Sequence, residues 1–330
     1  MLSSLFLTER PFLVVGRAGM DIYPCPAGTK TEDAKDFFPA LGGSSANIAV
    51  ALSRLGQKVS LVTCVSDDAV GRYALNQLRA YGIDTTYIRS VENGARTSLA
   101  VVETRTDDHQ SVIYRNNAAD FQMDSTDFAE IDFSVYCALL VTGTCLTAEP
   151  SRSASLKALS EAKSNGVLTI MDLDYRPYSW ESHECAQKVY NQAVSLLDIV
   201  VGNDEEFGHM AGSYEQGELL AKSLADSGKI AIYKMGENGS RTYTPFTCIN
   251  TGIFRTKPIK PTGAGDAFLG SLLAGMCRDR DLAKGLLYGS ASAALVVARV
   301  GCAPAMPTVS ELDEFLEVNG SSVEQNIGVP

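Results

Sequence analysis

The segment KPTGAGDAFLGSLLAGM, Lys260 to Met276, joins a glycine-rich turn to an apolar helical pattern and sets a carboxylate at the junction. Gly263, Ala264 and Gly265 let backbone N–H groups approach an anion, and the helix that follows adds positive potential at its N-terminus. A phosphoryl group in transfer suits such a place. Asp266 stands at the edge of that helix, where a carboxylate accepts the proton of an attacking hydroxyl. A glycine turn with an Asp cap is also a common structural device, so the segment alone leaves both readings open.

A second glycine pair precedes a helix in GGSSANIAVALSRLG, Gly42 to Gly56. Gly42 and Gly43 bring backbone close to a ligand, and Asn47 projects from the first turns of the helix, a geometry suited to a polyhydroxylated molecule. Gly56 ends the pattern as a helix C-cap does. The plainer alternative is a tight strand-to-helix turn in which Asn47 makes only local hydrogen bonds.

These residues need a scaffold, and short β-branched apolar runs supply one: FLVVG ending at Gly16, VSLVTCV at Val65, ALLVTG at Gly143, LTIMDLD at Asp174, IVVGN at Asn203 and IAIYKMG at Gly236. Near-continuous apolarity predicts strands covered on both faces, hence a mostly parallel sheet. Amphipathic patterns at 44–55, 68–81, 151–165 and 214–227 predict helices between them, giving an α/β fold with helices on both faces. Two segments break the rhythm. Residues 17–40 are rich in Pro, Gly and Asp, and 96–116 alternate as antiparallel strands do, so the two predict a small β-sheet lid over the carboxyl ends of the strands. Residues 1–10 read as a disordered leader, 11–320 as one α/β domain and 321–330 as a C-terminal tail.

Composition narrows the function. With 330 residues, 45% hydrophobic, the chain can bury a large core. A net charge of −11 argues against nucleic acid, and no apolar run reaches the roughly 18 to 20 residues of a spanning helix, so neither nucleic acid nor membrane is an expected partner and a cytoplasmic protein is expected. Eight cysteines without a CxxC pair read as reduced thiols, and three histidines without HExxH spacing argue against a histidine metal site. GRAG after the first strand lacks the third glycine of a dinucleotide-binding turn.

Together the Gly42–Gly56 and TGAGD segments resemble the two signature motifs of the ribokinase-like carbohydrate kinase family, and NDEE at Asn203–Glu206 is similar to that family's NxxE motif. The likeness spans nearly the whole chain. It implies a ribokinase-like fold and ATP-dependent phosphorylation of a sugar hydroxyl with Mg²⁺. Carried over by position, it implies Asp266 as catalytic base, Gly263, Ala264 and Gly265 as the anion hole, and Asp21, Gly42, Gly43 and Asn47 at the sugar hydroxyls. It also implies Asn203 and Glu206 beside the magnesium and its waters. KMGENGS, with Lys234, Gly236 and Gly239, then borders the nucleotide, and the adenine lies toward Ser290.

A finer likeness within the family lies in MDLDYRPYSW, GRAGMDIYP and CAPAMPT. DxDxRxxxW, Asp172 to Trp180, is similar to the DxNxRxxxW of 2-keto-3-deoxygluconate kinases, with Asp174 in place of Asn. Strand alternation puts Asp172 and Asp174 on one face. A sugar acid gives arginine a purpose, because a guanidinium grips a carboxylate bidentately, and Arg115 and Arg176 are the candidates. Each can instead be a structural arginine paired with Asp or Glu. Fructose and 2-keto-3-deoxygluconate are alternative substrates, and a catalytically silent sugar sensor is the non-enzyme alternative. Many relatives carry Asp where this chain has Lys260, beside a site for an activating monovalent cation. Lys260 brings a tethered ammonium there, so K⁺ is not expected as a cofactor; the competing expectation is a Lys260 that points to solvent. An exposed lid edge makes a homodimer through the lid possible.

Overall fold

The computed structural model describes residues 10–320 and 323–328; residues 1–9, where most of the expected leader falls, lie outside the described residues. In chain order the first strands are β1 (Phe12–Val15), β2 (Gly19–Cys25), β3 (Asp36–Gly42), β4 (Val59–Ser66), β5 (Ile88–Val91), β6 (Ser98–Val102) and β7 (Ser111–Tyr114). They continue as β8 (Ala138–Thr142), β9 (Leu168–Asp172), β10 (Ile199–Asn203), β11 (Ile230–Lys234), β12 (Ser240–Tyr243), β13 (Cys248–Thr251) and β14 (Gln325–Gly328). The helices are α1 (Ser44–Arg54), α2 (Ala69–Ala80), α3 (Ser151–Ser164), α4 (His183–Val194), α5 (Asp204–Ala211), α6 (Gly217–Asp226), α7 (Ala264–Asp279), α8 (Leu282–Val297) and α9 (Val309–Asn319).

A ten-stranded sheet runs β14-β13-β12-β11-β10-β9-β8-β1-β4-β5. It is parallel from β5 to β11, and β12, β13 and β14 extend it antiparallel. The apolar runs are therefore strands buried on both faces, as expected. Along β1, Leu13 and Val15 enter one core with residues of α3, α4, α5 and α6. Phe12 and Val14 enter the other, with α1, α2, α7 and α8. The period-two alternation of a strand divides one apolar run between two helical layers. In the segment expected as a tail, Gln325–Gly328 pairs with β13 at the sheet edge.

The two interrupting segments meet in a four-stranded sheet, β3-β2-β6-β7. One face carries Tyr23, Ala40, Ala100 and Val102, which pack together. The registers put Phe37, Val112 and Tyr114 on the other face, where all three are exposed. Between the layers, α7 lies close on α1 because Gly270 has no side chain. A Cβ there would stand 2.5 Å from the Ala51 methyl and 3.0 Å from the Ile48 carbonyl. That approach brings the first turns of the two helices together.

Candidate active site

Parallel strands deliver chemistry at their carboxyl ends, and here β9, β10 and β11 end side by side. Asp172 closes β9, Asn203 closes β10 and Lys234 closes β11, with Lys234 Nζ 3.9 Å from Asp172 Oδ1. Asp174 follows at φ +37°, a left-handed conformation that costs a non-glycine residue energy and is found at functional sites. Its Oδ1 forms an ion pair with Arg176 Nη2 at 2.7 Å, whereas its buried Oδ2 has no hydrogen-bond partner. Asn203 and Glu206 form a reciprocal capping box at the start of α5, each side chain accepting from the other's backbone N–H at 2.8 Å. The free Oε1 of Glu206 lies 3.9 Å from Arg176.

Asp266 comes to this cluster from α7. Gly263, the N-cap, takes φ +84°, a conformation open to glycine. The first intrahelical bond runs from Ala267 N–H to the Gly263 carbonyl, which leaves the N–H groups of Ala264, Gly265 and Asp266 ahead of it. From α1, Asn47 Nδ2 donates to Asp266 Oδ2 at 2.8 Å, and the Asn47 carbonyl oxygen is buried without a partner. Burial pushes the Asp266 carboxyl up to about 8, reinforced by the charges of Asp174 and Asp172 and opposed by Asn47 and Arg176. Burial, with Asp172 and Asp174, likewise raises Glu206 to about 7 against the pull of Lys234. Burial works to discharge Lys234, but Asp172, Glu206, Asp266 and Asp174 outweigh it and hold the ammonium charged.

Crowded carboxylates of this kind favour a hard divalent cation. Among the described residues no group of three or more His, Cys, Asp or Glu forms a metal cage. A magnesium ion, which keeps waters and takes phosphate oxygens, needs only the one or two carboxylates present. The orphaned Asp174 Oδ2 and the raised Glu206 fit that requirement, with Asn203 fixing Glu206 through the capping box.

On the opposite side stands Asp21, buried on β2, with its carboxyl raised by burial against Arg17, Tyr23 and Lys260. Gly42 makes room for it, since a Cβ there would fall 1.9 Å from Asp21 Oδ1. Gly43 is the N-cap of α1, packed on the Arg17 carbonyl. Tyr23 Oη donates toward Asp21 Oδ2 at 3.0 Å and lies 3.4 Å from the Cys302 sulfur. Asp21, Asn47, Lys260 and Cys302, all buried, thus share one region with the half-buried Asp266.

The arginines differ in place. Arg176 is part-exposed beside Asp174 and Glu206. Arg115 is buried, paired with Asp120, donating to the Thr144 carbonyl at 3.0 Å and lying over the Phe121 ring, so the structural pairing weighed for it from sequence is present. Its Nε and Nη1 nevertheless lack partners. Gly236 and Gly239 bound the turn from β11 to β12, and Ser290 donates to the Gly252 carbonyl at 2.8 Å. Lys260 does not point to solvent. It is fully buried, with Nζ donating to the Thr262 carbonyl at 2.5 Å, because the loop before α7 folds over it.

Sequence reasoning set Asp172 and Asp174 on one face without assigning them to the site, and it missed Tyr23, Cys302 and Arg17. The alternation along β2 carries a signal for Tyr23, two residues from Asp21. No local pattern marks Cys302, which arrives from a distant loop.

A family model described as pfkB family carbohydrate kinase matches residues 11–309. The chain is 38% identical over 317 residues to a 5-dehydro-2-deoxygluconokinase of Photobacterium profundum, covering 94% of this chain and 96% of that one. Among solved structures, a putative ribokinase II from E. coli in complex with ATP and Mg²⁺ superposes with TM-score 0.82 at 22% identity, over 94% of this chain and 99% of the other. A fructokinase double mutant from Vibrio cholerae O395, bound to fructose, ADP and potassium, gives 0.81 at 24% identity, over 94% and 99%.

Proposed function

The chain belongs to the pfkB family of carbohydrate kinases, and from that premise we propose that it transfers the γ-phosphoryl group of ATP to the 6-hydroxyl of 5-dehydro-2-deoxy-D-gluconate. The observation that carries this reading is the half-buried Asp266 on the first turn of α7, tied to Asn47 and facing the Asp172–Asp174–Glu206–Lys234 cluster. Asp266 takes the proton of the sugar hydroxyl as the O–P bond forms and the bond to ADP breaks. The N–H groups of Gly263, Ala264, Gly265 and Asp266 receive the charge spread over the equatorial oxygens. Lys234 balances the phosphates on the side of β11. Mg²⁺, held through Glu206 with Asn203 behind it, supplies charge neutralisation when bound.

Asp21, Gly42, Gly43 and Asn47 suit the sugar hydroxyls, the two carboxyl and amide groups as acceptors and donors and the glycines as close backbone. The unmatched Nε–H and Nη1–H of Arg115, on different edges of its guanidinium, leave donors for an acidic substrate, and Arg176 supplies a second cation. Fructose carries no carboxylate for those donors. The nucleotide lies along Lys234, Gly236 and Gly239, with its adenine toward Ser290. Mg²⁺ is required and K⁺ is not, because the buried Lys260 ammonium already supplies a cation beside α7, although the fructokinase neighbour holds potassium. The exposed Phe37, Val112 and Tyr114 on the small sheet support a homodimer through that sheet. Among the described residues no helix is long and apolar enough to cross a membrane; the likeness to 5-dehydro-2-deoxygluconokinases is what supports a cytoplasmic role in myo-inositol breakdown. The test is ADP release by the purified protein with 5-dehydro-2-deoxygluconate, 2-keto-3-deoxygluconate and fructose in parallel. Preference for fructose would overturn the assignment.

A further inference from the structure

A lysine is seldom buried completely, since its ammonium must then be matched inside the protein. Lys260 is fully buried, and the hydrogen bond of its Nζ goes to the carbonyl oxygen of Thr262, two residues ahead, at 2.5 Å. Its root is fixed as well. The N–H groups of Ile259 and Lys260 donate to the Val297 carbonyl at the end of α8, at 2.8 and 3.3 Å.

That one bond orients a peptide. The cis peptide bonds among the described residues are Cys25–Pro26 and Glu149–Pro150, so Thr262–Gly263 is trans. In a planar trans unit the C=O and N–H point in opposite directions. Drawing the Thr262 oxygen to the ammonium therefore turns the Gly263 N–H away from Lys260. From behind, the Gly263 backbone is braced by Cys302, whose sulfur stands 2.9 Å from where a Cβ would sit. Tyr23 holds that sulfur at 3.4 Å. Burial works to discharge Lys260 and lowers its pKa, with Cys302, Asp266 and Asp21 acting against it.

We propose that Lys260 is a positioning residue for phosphoryl transfer, its ammonium pinning the Thr262 carbonyl so that the Gly263 N–H joins the amides that receive the transferring group. The proposal rests on the reading of the α7 N-terminus as the phosphoryl site. An amide aimed at charge that develops only in the transition state acts on kcat and hardly on binding. Removing the ammonium should therefore resemble loss of one oxyanion-hole donor, about 10²-fold in rate.

The experiment compares Lys260→Met, which keeps the length of the chain, with Lys260→Ala, which leaves a cavity. Lys260→Met is expected to lose kcat about 10²-fold with KM for ATP and sugar acid within roughly threefold. Lys260→Ala is expected to regain rate saturably with ethylammonium and not with tetramethylammonium, which has no N–H to offer, at constant ionic strength. A Lys260→Met enzyme with near-wild-type kcat overturns the proposal, as does a folded Lys260→Ala enzyme that ethylammonium does not restore. If Lys260→Ala does not fold, Lys260→Met decides alone. Asp266→Asn separates the two levels of argument. If it leaves turnover intact, the site reading falls; if it silences the enzyme while Lys260→Met does not, this inference alone falls.

Discussion

Asp266→Asn should gain stability as it loses activity, and the gain should depend on pH. The carboxyl is half-buried, and burial together with Asp174 and Asp172 lifts it from its ordinary 3.8 to about 8. Between those values the folded protein holds a proton that the unfolded chain has released. Stability therefore falls as pH rises through that window, and the full cost is present above pH 8. At ~1.4 kcal/mol for each unit, an ionised Asp266 costs the fold on the order of 5 kcal/mol. Asparagine carries no charge to desolvate, and its amide oxygen can still accept from Asn47. Thermal melts of both proteins without ligands should coincide near pH 4 and diverge upward, the variant melting roughly 5–10 °C higher at pH 9. In the same variant, loss of the proton acceptor should lower kcat about 10²- to 10⁴-fold. In the wild type, kcat/KM should rise with pH along a limb on the alkaline side of neutrality, because the base acts only when deprotonated. A Tm difference that does not change with pH, or an active Asn variant, would refute the reasoning.

Arg115→Ala or Arg176→Ala should raise KM for a sugar acid by a factor corresponding to about 1.5–3 kcal/mol while sparing a neutral sugar; competition assays with both substrates read the split, and an unchanged KM in both variants removes the clamp. Gly270→Ala forces a methyl to within 2.5 Å of Ala51 and should destabilise by about 1–3 kcal/mol while loosening the Asn47–Asp266 bond, measured as a lower Tm together with a lower kcat. Initial rates titrated with potassium chloride in tetramethylammonium buffer should stay flat, since the Lys260 side chain is buried beside the glycine-rich turn proposed to receive the phosphoryl group; a saturable, many-fold activation contradicts this.

The parts of the site that could be read beforehand are those whose chemistry and position come from the same short stretch. Asp266 is legible because its helix, its glycines and its carboxylate are contiguous, and the carboxyl ends of β9, β10 and β11 are legible because a buried parallel strand must be an apolar run. Contacts that join distant stretches leave no such trace. Nothing near Lys260 says that its side chain turns inward, because the carbonyl that receives it belongs to a loop whose path depends on the end of α8. Gly42 reads as a turn glycine, yet the space beside it is taken by the carboxylate of Asp21 on the neighbouring strand. Gly270 sits in an apolar helix pattern, and only the crossing of α7 on α1 gives its missing side chain a consequence. Two of these close approaches shape the proposed site: Gly270 carries Asp266 to Asn47, and Gly42 leaves room for the Asp21 carboxylate. The geometry proposed for catalysis therefore depends on missing side chains as directly as on the reactive ones.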